Sequence, residues 1–149
     1  MQRNMVSRFK RKKSDLLKDA IAQAERLDLK FKKILAIDDC PDTLNVINTF
    51  FKNQSRTVVQ SFVDEELAIR SFIKEKPDLV ILDMNLKHSD GIRVSIILKK
   101  LSFFRVPIIF ISGDSSMANE VRKFHGNDYQ FLSKPFRKES FLRAVKKAC

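Results

Sequence analysis

Four short apolar runs in this chain each stop on a residue that carries chemistry. Residues 34–37 stop at Asp38-Asp39, 79–82 at Asp83, 106–111 at Ser112, and 129–132 at Ser133-Lys134. None alternates strictly between apolar and polar, which is the pattern of strands covered on both faces. A fifth run, residues 57–62, alternates more and suits an edge strand.

Between these runs the apolar spacing predicts helices over 43–52, 65–74, 92–101, 117–124 and 138–147. In the last, Phe141, Leu142 and Val145 line one face, and Lys138, Arg143, Lys146 and Lys147 the other. Strands alternating with helices imply right-handed crossovers and a parallel sheet. The carboxyl ends of such strands share one rim, where ligands bind. The residues that end the apolar runs are therefore expected at a single edge.

Composition sets the limits. The 149 residues, 44% of them hydrophobic, suffice for one core of ordinary size. No apolar stretch is long enough to cross a membrane. No apolar segment of signal-peptide type follows Lys13, so a cytoplasmic location is expected. Cys40 and Cys149 lack metal-ligand or redox spacing and read as reduced thiols, Cys40 as a small, partly buried side chain. His88 and His125 read as loop or helix-end residues with no partner at ligand spacing.

Three carboxylates gathered at the rim repel one another, which raises their pKa values or requires a cation. A hard divalent ion suits oxygen ligands, and Mg²⁺ suits a site of few carboxylates that also receives phosphate oxygens. Lys134 adds a mobile positive charge and Ser112 a hydroxyl donor. An acid pair, a lone Asp, a hydroxyl and a Lys together describe phosphoryl transfer to a carboxylate.

At these residues the sequence resembles the receiver domain of two-component response regulators, over about Lys33 to Cys149. Asp38-Asp39 matches the acidic pair, Asp83 the phosphoacceptor, and Asn85 the residue whose backbone carbonyl completes the metal site. Asp90-Gly91 matches the following turn, Ser112 the switch hydroxyl, Phe131 the switch aromatic, and Lys134-Pro135-Phe136 the closing motif, whose Lys-Pro bond is usually cis in that family.

The resemblance implies a flavodoxin-like α/β fold, with a five-stranded parallel sheet of order 2-1-3-4-5 and helices on both faces. It implies Mg²⁺ held by Asp38, Asp39, Asp83 and Asn85. It implies phosphoryl transfer to Asp83 from a sensor histidine kinase or histidine phosphotransfer protein, and output to a downstream protein through the face of the fourth helix, fifth strand and fifth helix. Asn85 and Asp114 stand at the positions that tune phosphoryl lifetime, and both could order an attacking water.

Three departures stand out: Lys87 replaces a common proline four residues after the phosphoacceptor, Phe131 lacks a tyrosine hydroxyl, and Gly126 lies one residue farther from Lys134 than is usual. None touches Asp39, Asp83 or Lys134.

Each residue also has a plainer reading. Asp38-Asp39 could cap the following helix, and Asp83 or Ser112 could form strand-end turns. Their joint placement favours the receiver. Alternatives are a phosphate relay or sink, a receiver piece of a hybrid histidine kinase, and an aspartyl-nucleophile phosphatase. The last usually needs a second Asp two residues after the nucleophile, where this chain has Asn85.

Residues 1–32 read as a separate basic arm and helix. Residues 1–33 hold 11 Lys or Arg against 4 acids, net +7, leaving 18 against 14, net +4, for the rest. Residues 1–13 read as a disordered arm, with contact to nucleic acid or an anionic membrane as the alternative to a solvated tail. Ser14 reads as the cap of a helix over 15–29, whose stripe of Leu16, Leu17, Ala20, Ile21, Ala24 and Leu27 needs a partner: its own domain, a second copy in a homodimer, or another protein.

Overall fold

The computed structural model describes residues 14–18, 31–102, 105–127 and 129–148. From residue 31 onward, strands β1 (Lys33–Ile37), β2 (Val58–Phe62), β3 (Leu79–Asp83), β4 (Ile108–Ser112) and β5 (Gln130–Ser133) alternate with helices α1 (Pro41–Phe51), α2 (Glu65–Glu75), α3 (Gly91–Leu101), α4 (Met117–His125) and α5 (Lys138–Ala148). The strands form one sheet in the order β2-β1-β3-β4-β5, and every pairing is parallel. The expected architecture and strand order are both present.

Unbroken apolar runs occur where both sheet faces are covered. Ile34, Ala36, Leu79, Ile81, Ile109 and Ile111 face α1 and α5, packing with Leu44, Ile47, Phe51, Phe141 and Val145. Their neighbours Leu35, Ile37, Val80, Leu82, Ile108 and Phe110 face α2, α3 and α4, packing with Phe72, Val94, Leu98 and Val121. Successive side chains point to opposite faces, so each residue of a central strand joins one core or the other. β2, by contrast, has no fully buried residue.

Several boundaries differ from the sequence reading. β4 starts at Ile108, because Pro107 has no N–H for the ladder, although its carbonyl accepts from the Val80 N–H at 3.0 Å. β5 starts at Gln130, and α1 starts at Pro41, where a missing N–H costs nothing. Asp64 and Asp90 cap α2 and α3 by accepting from Leu67 N–H at 2.9 Å and Arg93 N–H at 2.8 Å. Cys40 is exposed rather than partly buried, because it lies at the rim immediately before α1.

Residues 14–18 are helical, with Ser14 inside the helix rather than capping it, and Leu16 and Leu17 are exposed. The rest of the expected amino-terminal helix, and the basic arm of residues 1–13, lie outside the described residues. Among the described residues, no helix is long and apolar enough to cross a membrane.

Phe141 is fully buried, with its ring 5.3 Å from Phe50, 5.7 Å from Phe51 and 5.4 Å from Phe136. Phe141→Ala is expected to cost about 3–5 kcal/mol, read as a lower denaturant midpoint in urea unfolding.

Candidate functional site

The strand ends meet as the sequence implies. Asp38 follows β1 and is fully buried; Asp83 ends β3 at 3% exposure, and Ser112 ends β4 fully buried. Lys134 follows β5, and its Nζ donates to Asp38 Oδ2 at 2.7 Å and lies 3.2 Å from Asp83 Oδ1. One ammonium thus bridges two carboxylates from different strands. Asp39 is exposed and completes a group of three carboxylates whose oxygens lie within 4.8 Å of one another.

Backbone groups hold these side chains in place. The Cys40 N–H donates to Asp38 Oδ1 at 2.9 Å, so both oxygens of the buried Asp38 are occupied. The Asn85 N–H donates to the Asp83 carboxylate, while the exposed Asn85 pairs with Asp90 in an antiparallel bridge that closes the turn after β3. The Lys134 N–H donates to the Ser112 carbonyl at 2.7 Å, and Lys134-Pro135 is cis.

Burial drives the Asp83 pKa up to about 6; the Asp38 charge pushes the same way, and Lys134 and the Asn85 N–H oppose both. Burial alone would lower Lys134, but its bonds to Asp38 and Asp83 outweigh that and raise it. The Asp83 carboxylate is therefore poorly compensated. One ammonium faces three acids, and a hard cation fits the remaining charge.

The Ser112 hydroxyl accepts from the Asp114 N–H at 3.0 Å. Asp114 is exposed, and its Oδ1 accepts from Ser116 N–H at 2.9 Å and Ser116 Oγ at 2.6 Å, which lowers its pKa. Its carboxylate thus organises the approach to α4. Phe131 is half-buried on β5, against the core shared with α2, α3 and α4.

Two features of the site region were missed in the sequence. Glu65, at the start of α2, is 8% exposed; its Oε1 accepts from the His88 N–H at 3.0 Å and steadies the loop after β3, while Oε2 has no partner. In sequence it looks like an ordinary first-turn acid. His125 is a helix-end residue as expected, ending α4, but it also shares hydrogen bonds with Ser95 Oγ at 2.7 Å and with Lys99 Nζ, and packs its ring on Phe110. No periodicity links residues 30 apart on two helices.

Set beside known proteins, residues 34–146 match the response regulator receiver domain. The chain belongs to that family. It is 28% identical over 113 residues to the cell cycle transcriptional regulator CtrA of Caulobacter vibrioides, covering 76% of this chain and 48% of that protein. It is 27% identical over 116 residues to protein PilG of Pseudomonas aeruginosa, covering 76% of this chain and 84% of PilG. The receiver domain of NtrX from Brucella abortus superposes with a TM-score of 0.68 at 25% identity, over 77% of this chain and 96% of that one. The chain thus spans about half the length of CtrA and most of PilG.

Two outcomes test the site. A Cβ on Gly91 would sit 2.5 Å from the Asp83 carbonyl oxygen and 2.9 Å from Met84 Cα; neither is flexible, so Gly91→Ala is expected to displace the Asp83 turn and cost about 1–3 kcal/mol in urea unfolding.

An acid whose pKa is higher folded than unfolded holds its proton more tightly when folded. For Asp83, stability is therefore lost as pH rises from the ordinary 3.8 to about 6, and the loss is complete above that window. In metal-free buffer Asp83→Asn is expected to be about 1–2 kcal/mol more stable than the parent at pH 7, with the gap closing below pH 4. Equal stability at pH 7 would show that the carboxylate is not strained.

Proposed function

We propose that Asp83 accepts a phosphoryl group from a phosphohistidine, donated by a sensor histidine kinase or histidine phosphotransfer protein, and that the phosphorylated state signals to a protein partner. The observation that carries this reading is the single ammonium of Lys134, 3.2 Å from Asp83 and 2.7 Å from Asp38. That positive charge supports the reading because it could offset charge on phosphoryl oxygens arriving at Asp83. Asp83 is the nucleophile. A carboxylate oxygen of Asp83 forms the new bond to phosphorus as the P–N bond of the phosphohistidine breaks and the imidazole leaves. In the resulting acyl phosphate the negative charge sits on the phosphoryl oxygens, and Lys134 can turn to one of them while keeping Asp38.

Asp38, Asp39, Asp83 and the Asn85 carbonyl are the proposed ligands for Mg²⁺, which when bound neutralises charge on the phosphoryl oxygens. The donor set supports this, being all hard oxygen and short of positive charge. Ser112 is the proposed donor to the phosphoryl group, after giving up the Asp114 N–H. Phe131, half-buried at the sheet edge, is the proposed reporter of that movement to the face of α4, β5 and α5. A cytoplasmic location, and no turnover beyond self-catalysed phosphoryl transfer and hydrolysis, complete the reading.

An aspartyl phosphatase is not supported: Asn85 stands where its general acid would be, and an amide cannot donate and reclaim a proton as a carboxylic acid does.

With Mg²⁺ and acetyl phosphate or a phosphohistidine donor, the parent is expected to become labelled and Asp83→Asn to remain unlabelled. Retained labelling of the variant would reject the assignment. Asp114→Ala is expected to lengthen the phosphoryl half-life several-fold, since it removes a polar group able to order water beyond the switch hydroxyl; an unchanged decay rate would confine Asp114 to its bonds with Ser116.

A further inference from the structure

The edge opposite the acidic rim carries a second pattern that phosphoryl transfer does not use. In a parallel sheet with crossover helices, every helix ends near the amino ends of the strands. All of these ends but that of α1 are basic in the last turn: Lys74 on α2, Lys99 and Lys100 on α3, Arg122 and Lys123 on α4, and Lys146 and Lys147 on α5. Acids near this edge are few and engaged: Glu75, ending α2, lies 3.5 Å from Lys33 and 3.9 Å from Lys74, and Asp78, between α2 and β3, accepts from the backbone N–H groups of Lys32 and Lys33 at 2.9 and 3.0 Å. Lys123 forms an exposed pair with Glu120 at 2.8 Å on its own helix, an interaction weak enough in water to be exchanged. The basic amino-terminal segment also joins the sheet at this edge, through Lys32 and Lys33.

Cations at helix ends have an ordinary explanation in the helix dipole. That explanation does not cover their neighbours. Three of the four helices place an exposed apolar side chain beside a last-turn cation: Ile73 next to Lys74, Leu101 next to Lys100, and Phe124 next to Lys123. Their exposures are 54%, 41% and 58%. Phe124 lies one turn from the fully buried Val121 on the same side of α4, yet remains largely exposed at the carboxyl end of the helix.

We infer that this edge docks on an anionic lipid surface, with the lysines against headgroups and Phe124, Leu101 and Ile73 dipping into the interface. Nucleic acid fits less well. Grooves are entered by a helix side or a strand ribbon, whereas this edge offers helix carboxyl ends, and apolar tips have no role against phosphates. Docked this way, the molecule would keep its acidic rim turned to solution and accessible to a phosphodonor.

The test is sedimentation of the full chain with phosphatidylserine-containing vesicles, pure phosphatidylcholine vesicles, and duplex DNA. Expected is salt-dependent partition onto the anionic vesicles and little onto neutral ones. Lys100, Lys123, Lys146 and Lys147 replaced together by Gln should weaken that partition on the order of a hundredfold, taking roughly fivefold or less per cation. Phe124→Ser should weaken it by about tenfold. Every variant keeps the amino-terminal arm, and labelling of Asp83 verifies that each is folded.

Absence of partition, or partition unchanged by either variant, would overturn the inference. So would duplex DNA binding as tight as vesicle binding and insensitive to Phe124→Ser, which would mark a general polyanion surface. Loss of labelling in the fourfold variant would leave Phe124→Ser, on an exposed side chain, to decide.

Discussion

The bridge made by Lys134 between two buried carboxylates is the constraint on which the rest of the site depends. Asp38 and Asp83 end adjacent central strands, and without a shared cation their charges would be repelled from one another and from the apolar interior. Lys134 follows an edge strand, yet its Nζ lies within 3.2 Å of both. The arrangement therefore ties β1, β3 and β5 together at one point. Burial and the Asp38 charge still leave Asp83 strained, with its pKa raised to about 6 against the opposing pull of Lys134, and a group held in that condition gains from any ligand that removes or offsets its charge.

That point is where it is because of how the sheet is packed. Apolar residues fill both faces of β1, β3 and β4, so polar side chains of these strands have room only where the strands stop. Short-range contacts then complete the geometry. The Cys40 and Asn85 N–H groups reach back to the preceding carboxylates, and Gly91 lets the α3 backbone approach within a distance that any side chain would prevent. Glu65 reaches across from α2 to hold the loop after β3. The carboxylates of Asp38 and Asp83 are buried and tied by hydrogen bonds, while Asp39 and Asn85 beside them are exposed.

Parallel topology also sorts charge. Helix starts share the rim with the strand ends and carry acids such as Asp42, Asp64 and Asp90, while helix ends at the opposite edge carry the lysines. The helix dipole favours both placements. One consequence is a molecule with two chemically different edges, one gathering acids and the other bases.

The sequence by itself determined the order of elements, the parallel sheet and the residues at its carboxyl edge, because strands buried on both faces leave an unbroken apolar signature that ends where the polar rim begins. The acid pair, Asp83, Ser112 and Lys134 were legible for that reason, and the familiar motif at the same positions supplied the strand order. Boundaries shifted by a residue or two where Pro107 and Pro41 altered hydrogen bonding. Tertiary structure alone decided that Lys134 is shared between Asp38 and Asp83, that Glu65 steadies the loop after β3, and that His125 joins α3 to α4. Those contacts link residues from 23 to 96 positions apart, and no local pattern encodes a distance set by the packing of whole helices on a sheet.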